Sequence, residues 1–285
     1  MNARGVALVA APQRPGIALA VAAAVLWLAA CGEVATLPVA AGMGPQPTLP
    51  PPRPGWIPTV NIAPAGAWPH GVTPTPAAGT RVNAFADKLD HPRWLFVLPN
   101  GDVLVAVTRA PPLPEAAAGL KGWITGLLMK RAGAGGPSAN RITLLRDTDS
   151  DGVADLRPVL LEGLNSPFGM ALVGDALFDA TTDAVLRFPY TTGATRIAAD
   201  EVKLVALPAG PINHHWTKNL IASADGTRLY VTVGSNSNVG ERGMESEAGR
   251  AATWEVDRRN GKHRVFASGF RNPNGLAWEP ATGAL

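Results

Sequence analysis

Cysteine and charge are both scarce in this sequence. A single cysteine, Cys31, occurs in 285 residues, so an internal disulfide is excluded. Charged residues make up 16% of the chain, against about 25% in an average soluble domain. The formal net charge is only +3, and no basic run with interleaved aromatic residues is present. We therefore predict no nucleic-acid partner.

Long apolar runs are lacking too, and the N-terminal one, Gly16–Ala30, is shorter than the about 20 residues that span a bilayer. It follows two arginines and ends in small residues, as secretory signals do. Its last residues, Leu28-Ala29-Ala30-Cys31, match a bacterial lipobox, in which the cysteine is acylated. An ordinary signal peptide with a chance cysteine is the alternative. We predict a lipoprotein-type signal over residues 1–31, lipidated at Cys31. The lipid would be the only membrane attachment, at the periplasmic face of a bacterial membrane.

Proline and glycine are abundant, with 27 and 31 residues respectively. Between residues 32 and 80 they dominate together with alanine and threonine, and no apolar periodicity survives there. This composition favours extended, partly polyproline geometry. We predict a tether over residues 32–80 and a folded domain over residues 81–285.

The folded region repeats one pattern, in which two apolar segments flank a tight turn. It occurs at residues 91–108, 166–181, 215–234 and 272–285, and further strand candidates begin at residues 141, 184, 203, 253 and 263. The leucines that follow the four turns, separated by 73, 52 and 56 residues, are Leu104, Leu177, Leu229 and Leu285. Repeats of this length built from short strands are typical of propeller blades. We predict an all-β fold, a β-propeller of four-stranded blades, with three blades and the start of a fourth.

The first repeat is long because of an insertion at about residues 111–140. Within it, apolar residues at helical spacing predict a short helix; they are Leu120, Trp123, Ile124, Leu127 and Leu128. A stripe of this kind usually packs against a core, so we expect the helix to pack on the propeller. Contact with a membrane is the alternative.

Three blades and part of a fourth cannot close a ring. An open propeller would expose a sheet edge and an uncovered core. We therefore expect the sequence to be a fragment of a longer protein; the alternative is that another chain supplies the missing blades.

An acidic loop follows the insertion. Its carboxylates are spaced as in a calcium-binding loop; they are Asp147, Asp149, Asp151 and Asp155. An EF-hand would require a glutamate at the twelfth position, which is Pro158 here, so this is not an EF-hand. A calcium-stabilised loop and a polar turn whose aspartates bind local backbone both remain open.

Two polar clusters are candidates for chemistry. His214 and His215 precede the third apolar hairpin, and a histidine there can act as a general base because its pKa lies near neutrality. Arg271 and Asn272 lie in a Pro- and Gly-containing turn. Their hydrogen-bond donors suit an anion or a carbonyl oxygen that gains negative charge. The alternatives are a structural or merely exposed histidine and an Arg-Asn pair that satisfies backbone groups.

Residues 81–285 resemble the bacterial sorbosone dehydrogenase and soluble aldose dehydrogenase family. The resemblance is most specific in HHWTKNLIASADGTRLYVTVGSNSN and in SGFRNPNGLAWEPATGAL. It implies a six-bladed propeller that uses pyrroloquinoline quinone (PQQ). It also implies that His215, ten residues before Asp225, is the catalytic base, and that Arg271 and Asn272 bind the quinone oxygens.

The family resemblance implies hydride transfer from a sugar or a sugar-derived aldehyde to PQQ, with electrons then passed to an acceptor at the membrane. One departure is the stretch after the base, which is Trp216-Thr217-Lys218-Asn219 where aldose enzymes commonly have Gly-Gly-Arg, so sugar contacts differ. The family's later cofactor contacts and its calcium site fall beyond Leu285, so we do not expect the sequence as given to bind cofactor tightly. Two other functions fit a propeller: non-catalytic binding of a ligand or partner, and calcium-dependent lactone hydrolysis.

Overall fold

The structure is a computed structural model that describes residues 36–48, 62–69, 71–112, 119–134, 136–210 and 212–285. The predicted signal segment, with Cys31, lies outside the described residues. The chain divides into two compact units, Met1–Ala63 and Pro64–Leu285. In the described part of the first unit, Val39–Gly42 form a 3-10 turn. All further statements concern the second unit.

Twelve strands of the second unit form three sheets of four strands each. The first sheet contains β1 (Pro92–Val97), β2 (Val103–Val107), β3 (Arg141–Leu145) and β4 (Val159–Leu161). The second contains β5 (Gly169–Val173), β6 (Ala176–Ala180), β7 (Ala184–Pro189) and β8 (Val202–Ala206). The third contains β9 (Leu220–Ala222), β10 (Arg228–Val233), β11 (Ala252–Asp257) and β12 (His263–Ser268). Each strand pairs antiparallel with the next one along the chain.

The repeat seen in the sequence corresponds to equivalent positions in the three sheets. Leu104, Leu177 and Leu229 are each the second residue of the second strand of their sheet, and each side chain is fully buried. Alternation along a strand sends every other side chain to the same face, so this leucine reaches the core in every repeat.

The sheets pack face to face around two apolar cores. One core joins the first two sheets through residues such as Ile142 and Met170, and the other joins the second and third through residues such as Phe178 and Val231. The first strands lie next to one another, because β5 contacts both β1 and β9. Successive four-stranded meanders with adjacent first strands are typical of the blades of a β-propeller. The predicted all-β class is confirmed, and the three sheets are consistent with propeller blades.

The predicted start of a fourth blade is not formed. Residues 269–285 contain no strand. Instead, the Trp278 ring packs edge-on against Tyr230, with ring centroids 5.3 Å apart, and its Nε1 donates a hydrogen bond to the Ala222 carbonyl at 2.8 Å. A lone hairpin is marginally stable, so this segment gains more by covering the third sheet.

The insertion forms one helix, α1 (Gly119–Arg131), but its apolar stripe does not pack on the propeller as we expected. Trp123, Ile124, Leu127 and Leu128 are all exposed, and the side chain of Leu120 lies outside the described set. Among the described residues, no helix combines the length and apolarity needed to cross a bilayer.

The meander order divides the connections between two ends of the sheets. One end carries the turn between the first and second strands of each sheet and the turn between the third and fourth strands, such as the β3–β4 connection. The other end carries the β2–β3, β6–β7 and β10–β11 connections and every link from one sheet to the next. We call this second end the loop end. It holds α1, both histidines and the segment that contains Arg271.

Candidate active site

His215 lies in the connection between β8 and β9 and is held by Ser235, the second residue after β10. The Nδ1 atom of His215 is 3.1 Å from the Ser235 carbonyl oxygen and 2.8 Å from the Ser235 hydroxyl oxygen. The hydroxyl donates its own proton to the Ser237 carbonyl at 2.7 Å, so both Ser235 oxygens accept from His215. Nδ1 therefore carries the ring proton, and Nε2 keeps a lone pair that can accept one.

The pKa of His215 favours the neutral form. Burial lowers this pKa below its ordinary value, and the nearby charges of Arg271 and His214 lower it further. The hydrogen bond to Ser235 and the charge of Glu247 act in the opposite direction but do not reverse the shift. At neutral pH the ring is accordingly a base with a free Nε2.

The two polar clusters predicted from the sequence meet at Gly234 and Ser235. The Ser235 amide donates to the Arg271 carbonyl at 2.8 Å. A methyl group at Gly234 would collide with His215 and would lie 2.8 Å from Oδ1 of Asn272. Glycine thus lets the histidine and the amide approach each other across the end of β10. His215, Arg271 and Asn272 are therefore neighbours.

Arg271 is oriented by Asn238 in the β10–β11 connection. Its Nε donates to the Asn238 carbonyl at 2.8 Å, and its Nη2 donates to Asn238 Oδ1 at 2.9 Å. A guanidinium group has five N–H donors, so this two-point contact fixes its plane and leaves donors for an anion. Asn272 is exposed, and its amide makes no hydrogen bond to another described side chain.

Glu247 stabilises the segment Ser235–Asn238, which orients the side chains of His215 and Arg271. Its carboxylate accepts hydrogen bonds from the amides of Asn236, at 2.6 Å, and Ser237, at 2.9 Å, and also from the Ser237 hydroxyl. Burial raises the pKa of Glu247, but these hydrogen bonds outweigh burial and leave the pKa below its ordinary value. A charged Glu247 therefore fixes the backbone between Ser235, which orients His215, and Asn238, which orients Arg271.

Two buried cations lie at the same end. Lys218 is fully buried, and its Nζ donates to the Trp216 carbonyl at 3.4 Å. Burial, aided by the charge of Arg250, lowers the pKa of Lys218 to about 7. Arg250 is also buried, and it donates to Asn213 Oδ1 at 2.9 Å and to the Ala209 carbonyl at 2.8 Å. These contacts fix the connection that carries the histidines.

His214 faces a different environment from its neighbour. It lines a cavity of about 480 Å³, together with Trp216, Asp183 and Met129 of α1. The family resemblance assigns the catalytic base to His215 and not to its neighbour. The structure distinguishes the two histidines, because of the two side chains only that of His215 bonds to Ser235 and lies next to Asn272.

The donors and acceptors at this site suit PQQ. That molecule is a planar tricarboxylate with two adjacent quinone oxygens, so it offers hydrogen-bond acceptors and negative charge. Arg271 and Asn272 supply donors, and His215 supplies an acceptor for a substrate proton beside them. The residues present therefore fit the cofactor.

The acidic loop lies away from this site. It connects β3 to β4, at the end of the sheets opposite the loop end. Carboxylate oxygens of Asp147, Asp149 and Asp151 come within 4.8 Å of one another, but Asp155 is not in that group and instead accepts from the Thr148 amide and hydroxyl. Amides of Asp151 and Gly152 donate to Asp147, so the loop already has a polar-turn network. Calcium binding there stays a prediction.

Sequence reasoning missed the supporting residues of the site. Ser235 and Asn238 fall within the motif VGSNSN, which a sequence argument can quote without assigning roles. Glu247 has no signal of its own, since it is one of several acidic residues in an irregular loop. Only the folded loop shows that its carboxylate turns back onto Asn236 and Ser237.

The three sheets are arranged like propeller blades, and at their loop end His215 lies next to the hydrogen-bond donors of Arg271 and Asn272. A model of the TrAA12-like family matches residues 138–285. This match covers more than half of the sequence and includes His215, Arg271 and Asn272. The chain belongs to the TrAA12-like family.

One solved structure supports the same fold, and a second is also similar. The holo form of the pyranose dehydrogenase PQQ domain from Coprinopsis cinerea is 20% identical with a TM-score of 0.51, and the match covers 69% of this chain and 43% of that one. An iodide structure of a Trichoderma reesei carbohydrate-active enzyme of family AA12 is 17% identical with a TM-score of 0.47, covering 65% and 40%. The chain thus spans less than half the length of these structures. No curated protein sequence matches it.

The family match and the first of these structures confirm the resemblance to propellers of PQQ-dependent sugar dehydrogenases. They do not distinguish the sorbosone dehydrogenase group within that class.

Proposed function

We propose that this protein is a PQQ-dependent oxidoreductase that oxidises a sugar or a sugar-derived aldehyde, as sorbosone dehydrogenases do. One observation carries the proposal. His215, whose Nε2 is free, lies next to the hydrogen-bond donors of Arg271 and Asn272 at the end of β10. The TrAA12-like family match and the fold of the pyranose dehydrogenase PQQ domain support it.

His215 would act as the general base. Its Nε2 takes the proton from a hydroxyl of the sugar, or from the hydrate of an aldehyde, as the C–H bond on the same carbon breaks. PQQ, when bound, would supply the acceptor for the hydride that leaves that carbon. The carbon thereby loses two electrons and becomes a lactone, or a carboxylic acid in the case of the hydrate.

Arg271 and Asn272 would hold the anionic acceptor and stabilise negative charge on its oxygens. Their donors are preorganised, because Asn238 fixes the guanidinium group before any ligand arrives. Preorganised donors stabilise developing charge without reorganisation during the reaction. The buried guanidinium group of Arg250 adds positive charge at the same end of the sheets, which suits a tricarboxylate.

The cellular setting is part of the proposal. Acylation at Cys31 would hold the enzyme at the periplasmic face of a bacterial membrane, where the electrons would pass to a membrane acceptor. A calcium ion in the loop of Asp147, Asp149 and Asp151 would have a structural role, since this loop lies at the other end of the sheets.

The proposal is tested by sugar-dependent dye reduction with protein produced from its complete coding sequence and loaded with PQQ. We expect His215→Ala to lower kcat by about 10²- to 10⁴-fold, the usual contribution of a general base. His214→Ala is the matched control, since it removes the neighbouring ring, and its kcat should stay close to that of the unmodified protein. Circular dichroism checks that both variants are folded. Full activity in folded His215→Ala, or equal losses in both variants, refutes the assignment.

A further inference from the structure

The residue that follows the candidate base is anchored through both its ring and its carbonyl group. The Trp216 side chain is buried, with the guanidinium group of Arg93 5.4 Å from the ring centroid and the Phe168 ring edge-on at 6.1 Å. Its carbonyl oxygen accepts hydrogen bonds from Oγ1 of Thr182 at 3.2 Å and from Nζ of Lys218 at 3.4 Å. The backbone next to the candidate base is therefore held on two sides.

Thr182 belongs to a chain of buried hydrogen bonds. It lies in the β6–β7 turn of the second sheet, and its Oγ1 accepts from Nδ2 of Asn213 at 2.9 Å. The Oδ1 atom of Asn213 accepts in turn from Nη1 of Arg250 at 2.9 Å. All of these side chains are buried. The chain thus runs from Arg250 through Asn213 and Thr182 to the carbonyl group of Trp216.

The direction of this chain is fixed by its first member. A guanidinium group can only donate, so the Asn213 oxygen faces Arg250 and the Asn213 NH₂ group faces Thr182. The Thr182 oxygen accepts that hydrogen bond, which leaves the hydroxyl proton for the Trp216 carbonyl. A buried polar group that loses its partner is costly, so each bond of the chain depends on the one before it.

We infer that Thr182 is a positioning residue for the candidate base, acting through the carbonyl group of Trp216. The inference rests on the proposed role of His215. Ser235 holds the ring of His215, and Thr182 holds the peptide group that follows Trp216. Without the Thr182 hydroxyl, that carbonyl keeps only the 3.4 Å contact with Lys218. The backbone can then rotate, which weakens the bond between the ring and Ser235.

The first test measures the bond between His215 and Ser235 directly. NMR of the protein made from its complete coding sequence, without cofactor, gives the rate at which the Nδ1 proton of His215 exchanges with water. Thr182→Val removes the hydroxyl and keeps a branched side chain, and we expect severalfold faster exchange. Thr182→Ser restores the hydroxyl and should restore the slow exchange. Thr143→Val is the matched control, since Thr143 is buried in β3 and remote from the site, and it should leave the rate unchanged.

The second test is dye reduction with the PQQ-loaded protein. Thr182→Val should lower kcat roughly 10- to 100-fold through misplacement of the base, with little change in KM, and Thr182→Ser should recover most of the loss. Asn213→Asp tests the direction of the chain. The carboxylate still accepts from Arg250 but cannot donate, so the Thr182 hydroxyl turns to it and leaves the Trp216 carbonyl. We expect this variant, checked for folding by circular dichroism, to lose kcat as Thr182→Val does.

Three results would overturn the inference. The first is unchanged exchange of the His215 proton in folded Thr182→Val, and the second is equal acceleration in the Thr143→Val control. The third is failure of Thr182→Ser to restore the slow exchange, because Thr182 would then act by its shape and not by its hydroxyl. The exchange measurement needs neither cofactor nor sugar, so it decides the inference even if the unmodified protein lacks the proposed oxidoreductase activity.

Discussion

The orientation of His215 depends on the two oxygen atoms of Ser235. Because the Ser235 hydroxyl donates to Ser237, it can only accept from the imidazole, and the tautomer with a free Nε2 follows. The lowered pKa of His215 also keeps Nε2 unprotonated, since burial disfavours the protonated ring. Both features make His215 suited to accept a proton at neutral pH.

Lys218 gives a pH-dependent prediction. Burial lowers its pKa from 10.5 to about 7 in the folded protein. Between these values the unfolded chain binds more protons than the folded one, so stability must rise with pH. The lysine should therefore contribute a rise of about 2 kcal/mol in the free energy of unfolding between pH 7 and pH 9.

Urea denaturation at the two pH values tests this prediction. Lys218→Met should remove the rise and should be more stable than the unmodified protein at pH 7, because an unpaired buried charge is lost. Lys203→Met, at an exposed position of β8, is the control and should keep the rise. An unchanged pH dependence in Lys218→Met would contradict the lowered pKa.

At the scale of the elements, the β10–β11 connection links His215 to Arg271. Ser235 at its start holds His215, Asn238 holds Arg271, and Glu247 accepts hydrogen bonds from the residues between them. An irregular loop thereby acquires a defined shape at the end of two regular strands.

Glu247→Gln should disrupt this arrangement. The glutamine NH₂ group cannot accept from a backbone amide, so one of the two amides, that of Asn236 or that of Ser237, loses its acceptor. We expect kcat to fall roughly 10- to 100-fold through misplacement of His215 and Arg271. Because the charge of Glu247 raises the pKa of His215, the variant should also shift that pKa further down, measurable by NMR of the ring.

Two variants serve as controls for Glu247→Gln. Glu245 and Glu247 both belong to a 3-10 turn, Met244–Glu247. Glu245→Gln makes the same charge change at an exposed position of this turn and should alter neither kcat nor the pKa of His215. Glu247→Asp keeps both acceptor oxygens and should recover part of the activity. An unchanged His215 pKa in folded Glu247→Gln would limit Glu247 to a purely structural role.

The elements that the sequence predicted well are those with local signals. The first three hairpins have turn residues between apolar segments, and at Gly226 the backbone adopts a φ of 66° that favours glycine. Strand β4 was missed because its three residues, Val159–Leu161, are too few to show alternation. Residues 272–285 have the same local pattern but contain no strand, and Trp278 packs on Tyr230. Local pattern alone therefore did not predict this segment.

Only part of the candidate site could be predicted, because the sequence gives local motifs and not the contacts between distant segments. His215, Arg271 and Asn272 belong to motifs, whereas their contact depends on the close approach of two connections at Gly234. The exposed face of α1 was also beyond a sequence argument. Helical spacing predicts that apolar residues share a side, but not what that side faces.

At the scale of the whole molecule, the propeller arrangement collects connections from successive sheets at one end. Each sheet is stabilised by the apolar cores that it shares with its neighbours, so the loops there can carry polar residues. The candidate site and α1 lie at this end, and the acidic loop lies at the other.

The central claim is that His215 takes a proton while a hydride leaves the same sugar carbon. It is tested most directly by mixing the PQQ-loaded protein, without oxygen, with a sugar that carries hydrogen or deuterium at C1 and recording the quinone absorbance. We predict that deuterium slows the reduction severalfold and that His215→Ala nearly abolishes it. The claim is contradicted if the quinone is not reduced, or if its reduction is insensitive to both deuterium and the loss of His215.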